Sequence, residues 1–585
     1  MNSKIAVIGS GPTGIYTLKG LIAAKKPVSI TVFEVEADPG KGTPYHPDIN
    51  DRAMLSNIAS IELPPICETL NAWLHRQSDA DLERLGVPRD MIQEREFYPR
   101  VVLGEFLQAQ FEMLVKLGRD RGHLIDVKAR HRVSDIALRT DEIALTVTMP
   151  DGARKDYVFD HVVMATGHDW PETTEIKPGY FMSPWPAPGL KTIAPGSVGI
   201  LGTSLSAIDA LITVSTAHGA FYMDSGGLLQ YQSAPDTEAF HTTMMSRKGL
   251  LPEADFYCPI PYAPLTICTE EAVDTLIASD RANLLDKVFE LFRSELTACD
   301  PAYAAKIGLS QLTVETVASA YFAEREKADP FVWAAQNLLE AEQNKANRYT
   351  VQWRYAILRM HEVIARAVPS LDETDLKRFH KYFKTVFIDD YATVPHQSIQ
   401  RLLALRRAGK LDIVALGSDS EISTDGVDHG AVVKFDDQRL VFDAFIDATG
   451  QASLSARDTP FPTLMSQGVV QKAKTVQDDT LMLNTAGTLE TVRTDGIDLD
   501  SAFRLRFEQN LSNKLYCAAI SFLLHKLPFV QGITSARDIG EVVSSAILND
   551  LDDAPKSVES ILKASLHPAE NLPSTLLFPG MVTAQ

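Results

Sequence analysis

Residues 5–34, IAVIGSGPTGIYTLKGLIAAKKPVSITVFE, decide how the rest of the chain reads. Ile5, Ala6, Val7 and Ile8 form a short apolar run, the pattern of a strand buried on both faces of a parallel sheet. Gly9, Gly11 and Gly14 follow as G-x-G-x-x-G, with Pro12 and Thr13 between the last two, and a helix-like segment runs from Thr13 to Ala24. A second apolar strand, Ser29 to Phe33, ends at Glu34. Each position has a physical task. Gly9 allows a tight turn, Gly11 lets a pyrophosphate approach the backbone, and Gly14 lets the helix pack closely on the strand. The helix N-terminus presents free N–H groups and a partial positive charge to phosphates. Glu34, 20 residues beyond Gly14, stands where a carboxylate accepts both ribose hydroxyls. A bare glycine turn is weak evidence. Strand, turn, helix, strand and acid together predict a dinucleotide site.

Composition bounds the rest. At 585 residues the chain is too long for one core, so two or three domains are expected. It has no apolar run of about 18 residues, so no transmembrane helix is expected. The first strand starts too near the N-terminus for a signal or transit peptide to be expected. A net charge of -20 argues against nucleic acid or an anionic membrane surface as the main partner. Five scattered cysteines without C-x-x-C fit a reducing cytoplasm and leave no redox pair for disulfide chemistry. No His/Cys cluster has metal-ligand spacing, so no metal is expected.

The first unit then repeats. After Glu34 comes a long Gly-, Pro- and Asn-rich loop, residues 37–65, whose Lys41, Gly42 and Thr43 lie close behind the ribose-binding strand. Loops of that length without regular structure are usually functional or disordered, and this position favours function. A β-meander from Val133 to Phe159 feeds a buried strand ending in Ala165-Thr166-Gly167. Ser197 to Leu201 opens a second copy, followed by Gly202-Thr203-Ser204-Leu205-Ser206-Ala207 and a helix from Ala207 to Val214. A hairpin is expected between Gly219 and Gln232, and a strand from Thr242 to Met245 ends in SRKGLLP, residues 246–252. Helical periodicity fills about 269–384, after which a meander leads into Ala448-Thr449-Gly450. The predicted fold is α/β: two Rossmann-like dinucleotide-binding domains with a helical insertion. Its expected pieces are 1–195 and 451–585 for the first domain, 196–255 and 376–450 for the second, and 256–375 for the insertion.

The second turn departs from the first. Ser204 replaces the middle glycine and Ala207 the last. At the end of the next strand stand Ser246, Arg247 and Lys248, where the first unit has Glu34. Cations there, without an acid, suit a 2′-phosphate and therefore NADP rather than NAD. FYPR, residues 97–100, reads as a helix entry with Pro99 at the first turn.

Taken together, GSGPTG with Glu34, KGTPYHPD, AMLSN, FYPRVVLGEFL, VVMATG, GTSLSAID, SRKGLLP and FDAFIDATG resemble the two-dinucleotide FAD/NAD(P)-binding family. That family is related to the flavin-dependent N-hydroxylating monooxygenases, and the chain is similar to their nitrosuccinate-forming aspartate N-monooxygenase-like members. The match spans the first 250 residues well and 394–541 moderately; nothing specific is matched between about 256 and 375. The resemblance implies FAD at the first turn, with Lys41, Gly42, Thr43 and Asn57 near the flavin and Val133, Thr166 and Gly167 in the same site. It implies NADPH at Gly202, Thr203, Ser204 and Ser206 with Arg247 and Lys248. Gln531, Gly532, Ile533 and Thr534, opening the last helix, would face the isoalloxazine ring, where a helix N-terminus favours negative charge on reduced flavin. Many relatives carry Gly-Asp before this helix; here the corresponding strand reads CAAIS.

The activity so implied is N-hydroxylation of a small amine, an amino acid being the leading candidate, by NADPH and O2 through a flavin C4a-hydroperoxide. No protein nucleophile is needed. An amino-acid carboxylate calls for an Arg fork, and Arg348, Arg354 and Arg359 in the insertion are candidates, although a helix-surface arginine is the better reading of any one of them. Two alternatives stay open: another FAD/NADPH oxidoreductase (an oxidase or carbon-oxygenating monooxygenase), or a non-catalytic nucleotide-binding sensor.

Overall fold

The first apolar run becomes the middle strand of a five-stranded parallel sheet. The order is Leu515–Cys517, His161–Met164, Lys4–Ile8, Ser29–Phe33, Leu124–Lys128. Ile5 to Ile8 are buried, as a doubly covered central strand requires. In this computed structural model the described residues are 3–167, 175–279, 282–450, 454–473, 481–483, 489–491, 496–507, 511, 513–525, 527–530 and 532–552. The helix after the glycine turn is Pro12–Leu21, with proline in its first turn where no N–H partner is lost. The helix Gly532–Leu551, from the returning tail, packs along it. The FYPR segment opens a long helix, Arg100–Asp120. The expected 37–65 loop holds only two short turns of 3-10 helix, Thr43–Tyr45 and Ser60–Glu62.

The second sheet runs Leu411–Ala415, His241–Ser246, Ser197–Leu201, Ala444–Asp447, Tyr180–Phe181, Glu175–Lys177. Its first five strands are parallel and the last is antiparallel. Each sheet has a three-stranded antiparallel meander beside it, Arg132–Phe159 in the first unit and Glu421–Phe442 in the second. The hairpin pairs Gly219–Met223 with Leu229–Ser233.

Two boundaries move. The sequence reading ended the first unit at 195, yet Tyr180–Phe181 hydrogen-bonds to the second sheet and Phe181, Leu190 and Ile193 join its core. A two-residue strand carries no periodic signal, so the sequence does not show this edge. The sequence places the end of the insertion at 375, but Phe383 and Phe387 pack against Phe289 and Phe292 in the helical core, with Phe379 against Phe383, extending it to Tyr391. Phe529 from the tail seats in the same aromatic cluster. Among the described residues no helix is long and apolar enough to cross a membrane.

Candidate functional site

The first glycine turn is shaped by close backbone approach. The Gly9 N–H donates to the Phe33 carbonyl (2.8 Å), and Gly9 has φ +101°. A Cβ on Gly9 would lie 2.2 Å from the Ala165 oxygen, and one on Gly14 2.1 Å from the Gly9 oxygen. The turn is therefore wedged between the first strand and the A-T-G strand end, and no side chain fits either place. Glu34 is fixed beside it. Its Oε2 accepts from the Ser10 N–H (3.0 Å) and hydroxyl (2.6 Å), and its Oε1 from the N–H groups of Val35 (2.7 Å) and Glu36 (3.1 Å). The Ser10 hydroxyl in turn accepts from the Gly40 N–H at 2.8 Å, tying the long loop to the turn.

These elements enclose a cleft of about 360 Å³. Of the residues read as cofactor ligands, Gly9, Gly11, Pro12, Thr13, Glu34, Gly42, Thr43, Asn57, Val133, Thr166, Gly167 and Gly532 line it. Gly14 serves helix packing instead. Lys41 is buried and turned away, its Nζ 3.2 Å from Asp38 Oδ2 and 3.4 Å from Glu105 Oε1. Ile533 is buried in the core, Thr534 is half-buried outside the lining, and Gln531 lies outside the described residues. Tyr45, His46, Arg100, His131, Arg132 and Ile520 also line the cleft and were not anticipated. Tyr45 and His46 sit directly after Lys41–Thr43, so the loop itself was the available signal. The last helix begins at Gly532, in the cleft wall, which brings its positive dipole end to the cavity.

The second turn repeats the geometry. The Gly202 N–H donates to the Met245 carbonyl (2.6 Å), and a Cβ there would lie 2.8 Å from the Ala448 oxygen. Ser204 occupies the N-cap of the helix Leu205–His218 without a side-chain capping bond. The Thr203 hydroxyl donates to the Ser246 hydroxyl (3.0 Å), which joins the turn to the next strand end. Ser206 lies in the first turn of that helix and Arg247 is exposed at the strand end. Lys248 is committed elsewhere: its Nζ is 2.5 Å from Glu326 Oε1 and 4.2 Å from the Phe322 ring centre, both in the helical unit.

The two units are pinned together at FYPR. Arg100 Nη2 is 2.6 Å from Asp209 Oδ2, on the helix after the second turn, with side chains only 15% and 7% exposed. Burial pushes the Asp209 carboxyl up to about 6 despite the pull of Arg100 and Arg401. Removing one partner of a buried pair leaves the other uncompensated. Arg100→Met is therefore expected to lower stability by about 3 kcal/mol in urea melts. Adding Asp209→Asn should restore part of that loss; no recovery would show that the pair is not the cause.

The three insertion arginines do not form a carboxylate fork: two are engaged by other groups of the protein and one is exposed at a helix end. Arg354 is buried and ion-paired with Glu253. Arg359 donates to the Ala263 and Pro264 carbonyls, both at 2.9 Å, and stacks 4.3 Å from the Tyr355 ring centre. Arg348 ends the helix Pro330–Asn347 in a left-handed conformation and is exposed. None lines the cleft.

Two parallel sheets, each led by a glycine turn into a helix, define a two-dinucleotide-binding protein with an FAD/NAD(P)-binding domain; residues 6–169 match the family model described as FAD-NAD(P)-binding. Residues 269–391 match the model of the YdhS-like middle domain. The uncharacterized protein YdhS of Escherichia coli (strain K12) is 40% identical over 545 residues, covering 93% of this chain and 97% of that one. The chain belongs to the YdhS family. Among solved structures, it is similar to the reduced form of ornithine hydroxylase (PvdA) from Pseudomonas aeruginosa, with 12% identity over 94% of this chain and 100% of that one, TM-score 0.47. It is also similar to L-lysine 6-monooxygenase from Pseudomonas syringae, with 14% identity over 95% of this chain and 100% of that one, TM-score 0.42.

Proposed function

We propose that this chain is an FAD- and NADPH-dependent monooxygenase that N-hydroxylates a small amine, an amino acid in the first instance. One observation supports the reading most. Arg100 lines the first cleft while gripping Asp209 on the helix that opens at the second turn, so that helix is pinned to the wall of the first cleft. The first cleft fits FAD: its glycine cradle admits a pyrophosphate, Glu34 is oriented for a ribose, and a helix N-terminus closes the far end. FAD supplies hydride acceptance from NADPH and activation of O2; the protein supplies binding, orientation and exclusion of water. In this reading Gly9 and Gly11 hold the pyrophosphate, Glu34 takes the ribose hydroxyls, and the N–H groups at Gly532 favour negative charge in the cleft. At the second turn Gly202 to Ser206 receive the other pyrophosphate and Arg247 the 2′-phosphate.

The test is NADPH oxidation by the flavin-loaded protein in air against a panel of amines and amino acids, with peroxide and hydroxylamine measured together. Amine-dependent NADPH consumption matched by oxidised nitrogen supports the reading. Peroxide alone across the panel would replace it with an oxidase, and absence of both flavin and NADPH oxidation would leave a nucleotide-binding sensor. Arg247→Gln is expected to raise KM for NADPH about tenfold while leaving KM for NADH unchanged, the cost of one charge-assisted contact to the phosphate. Equal effects on both coenzymes would place the 2′-phosphate elsewhere. Lys248→Gln should do less, because that ammonium is already paired with Glu326.

A further inference from the structure

A second cavity, about 70 Å³, lies where the first dinucleotide unit, the linker 255–262 and the helical unit meet. Asn57, an exposed side chain, lines both this cavity and the larger cleft, so the two adjoin. Asp390 forms part of its wall, is 0% exposed, and neither carboxylate oxygen has a hydrogen-bond partner. The neighbouring Tyr391 hydroxyl, also in the wall, has none either. Glu62 and Asp255 line the same space, as do two cations, Lys345 and Arg95, the latter with its guanidinium 4.6 Å from the Tyr257 ring centre.

The cations behind Asp390 are ion-paired with other carboxylates, although Arg354 Nη1 is itself buried without a hydrogen-bond partner. Arg354 is paired with Glu253, which also accepts from the Trp333 indole N–H at 2.8 Å. Arg325 lies 2.5 Å from Asp389 and 3.9 Å from Glu253. Three carboxylates thus share two guanidinium groups, and Asp390 is the one in contact with neither. Burial holds its carboxyl above the usual range, with Arg354 pulling the other way, and burial pushes Asp255 up to about 7. A buried carboxylate without partners is costly and needs a proton or a cation. The space accepts the head of a small ligand rather than a whole one. An ammonium group brings three donors and one positive charge, which match a carboxylate, a hydroxyl and two flanking acids.

We propose that this cavity binds the ammonium head of a small primary amine, held by Asp390 and the Tyr391 hydroxyl with Asp255 and Glu62 completing the acidic wall, and the alkyl part directed past Asn57 toward the larger cleft. The proposal goes beyond the monooxygenase reading and does not depend on it: a nitrogen held here lies at the end of the ligand away from the larger cleft, so it is an anchor and not the atom which that reading oxidises. The experiment is calorimetric titration of the full-length, flavin-loaded protein with n-butylammonium, n-butanol and butyrate at fixed ionic strength, with KCl and MgCl2 as further arms. Butylammonium is expected to bind about tenfold or more tightly than butanol, as a charge-assisted contact implies. Asp390→Asn should abolish that preference while flavin content and circular dichroism stay unchanged, since it removes a charge that has no partner. Asp255→Asn, at a half-buried position, should weaken it and gives a second variant should the first not fold. Equal binding of amine and alcohol, an undiminished preference in both variants, or binding of K⁺ or Mg²⁺ in place of the amine would each overturn the proposal. Amine-stimulated NADPH oxidation without Asp390-dependent butylammonium binding would sink the cavity and spare the monooxygenase. Asp390-dependent binding with no nitrogen oxidation would do the reverse.

Discussion

Arg354→Leu is expected to destabilise the helical unit by about 3–5 kcal/mol, the largest single loss argued for this chain. Arg354 is buried, ion-paired with the buried Glu253, and lies 4.5 Å from the Trp353 and 5.9 Å from the Phe256 ring centres. Its removal leaves Glu253 with Arg325 at 3.9 Å and the Trp333 indole, while Asp389 and Asp390 remain close by. The pH dependence follows from Glu253. Burial raises its carboxyl, but Arg354 and Arg325 outweigh that and hold it below the ordinary value. A carboxyl depressed in the folded state contributes stability that is present above its unfolded pKa of about 4.3 and is lost as pH falls through the folded value. The penalty of Arg354→Leu should therefore be full at pH 7 and shrink in acid, where Glu253 of the variant is protonated. Guanidinium melts at pH 7 and pH 4 would show it. The double variant Glu253→Leu with Arg354→Leu should recover much of the loss, because replacing both members of a buried pair is often close to neutral. A single-variant loss under 1 kcal/mol at pH 7, as for exposed pairs, would mean that water reaches the cluster.

Gly14→Val should abolish flavin retention and cost about 3 kcal/mol or more, beyond ordinary core overpacking. The neighbour is backbone: the added Cβ would sit 2.1 Å from the Gly9 oxygen, which cannot swing aside as a side chain would. Relief requires the helix Pro12–Leu21 to lift from the strand Lys4–Ile8, and with it the N–H groups aimed at the pyrophosphate. Gel filtration followed by the visible flavin spectrum reads the first effect and a urea melt the second. Full flavin content in a stable Gly14→Val protein would show that this turn is not the flavin cradle.

The parts of the site that were legible are those written in short range. Gly9, Gly11, Gly14 and Glu34 lie within 26 residues of one another, and the close backbone approach at Gly9 and Gly14 is one that only glycine allows. The Gly202 turn and the A-T-G strand ends followed by repetition of the same local pattern. Lys41 was misplaced because its neighbours Gly42 and Thr43 do face the cleft; the direction of one long side chain is set by Asp38 and Glu105, the latter on a helix that the loop only later meets. Lys248 was read as a phosphate ligand because Glu326, 78 positions away, leaves no mark on its own segment.

The amino-acid sequence by itself determined the two dinucleotide units, their order, the interruption of the second and the cradle of the first, because strand periodicity and obligatory glycines act over a few residues. Only the tertiary structure decided the rest: that Arg100 binds Asp209 across the units, that the tail contributes Phe529 to the insertion's core, and that Asp390 is left over among paired charges. Those facts depend on which distant side chains share a low-dielectric space. Charge compensation there is a property of the assembled neighbourhood, and no single stretch of chain carries it.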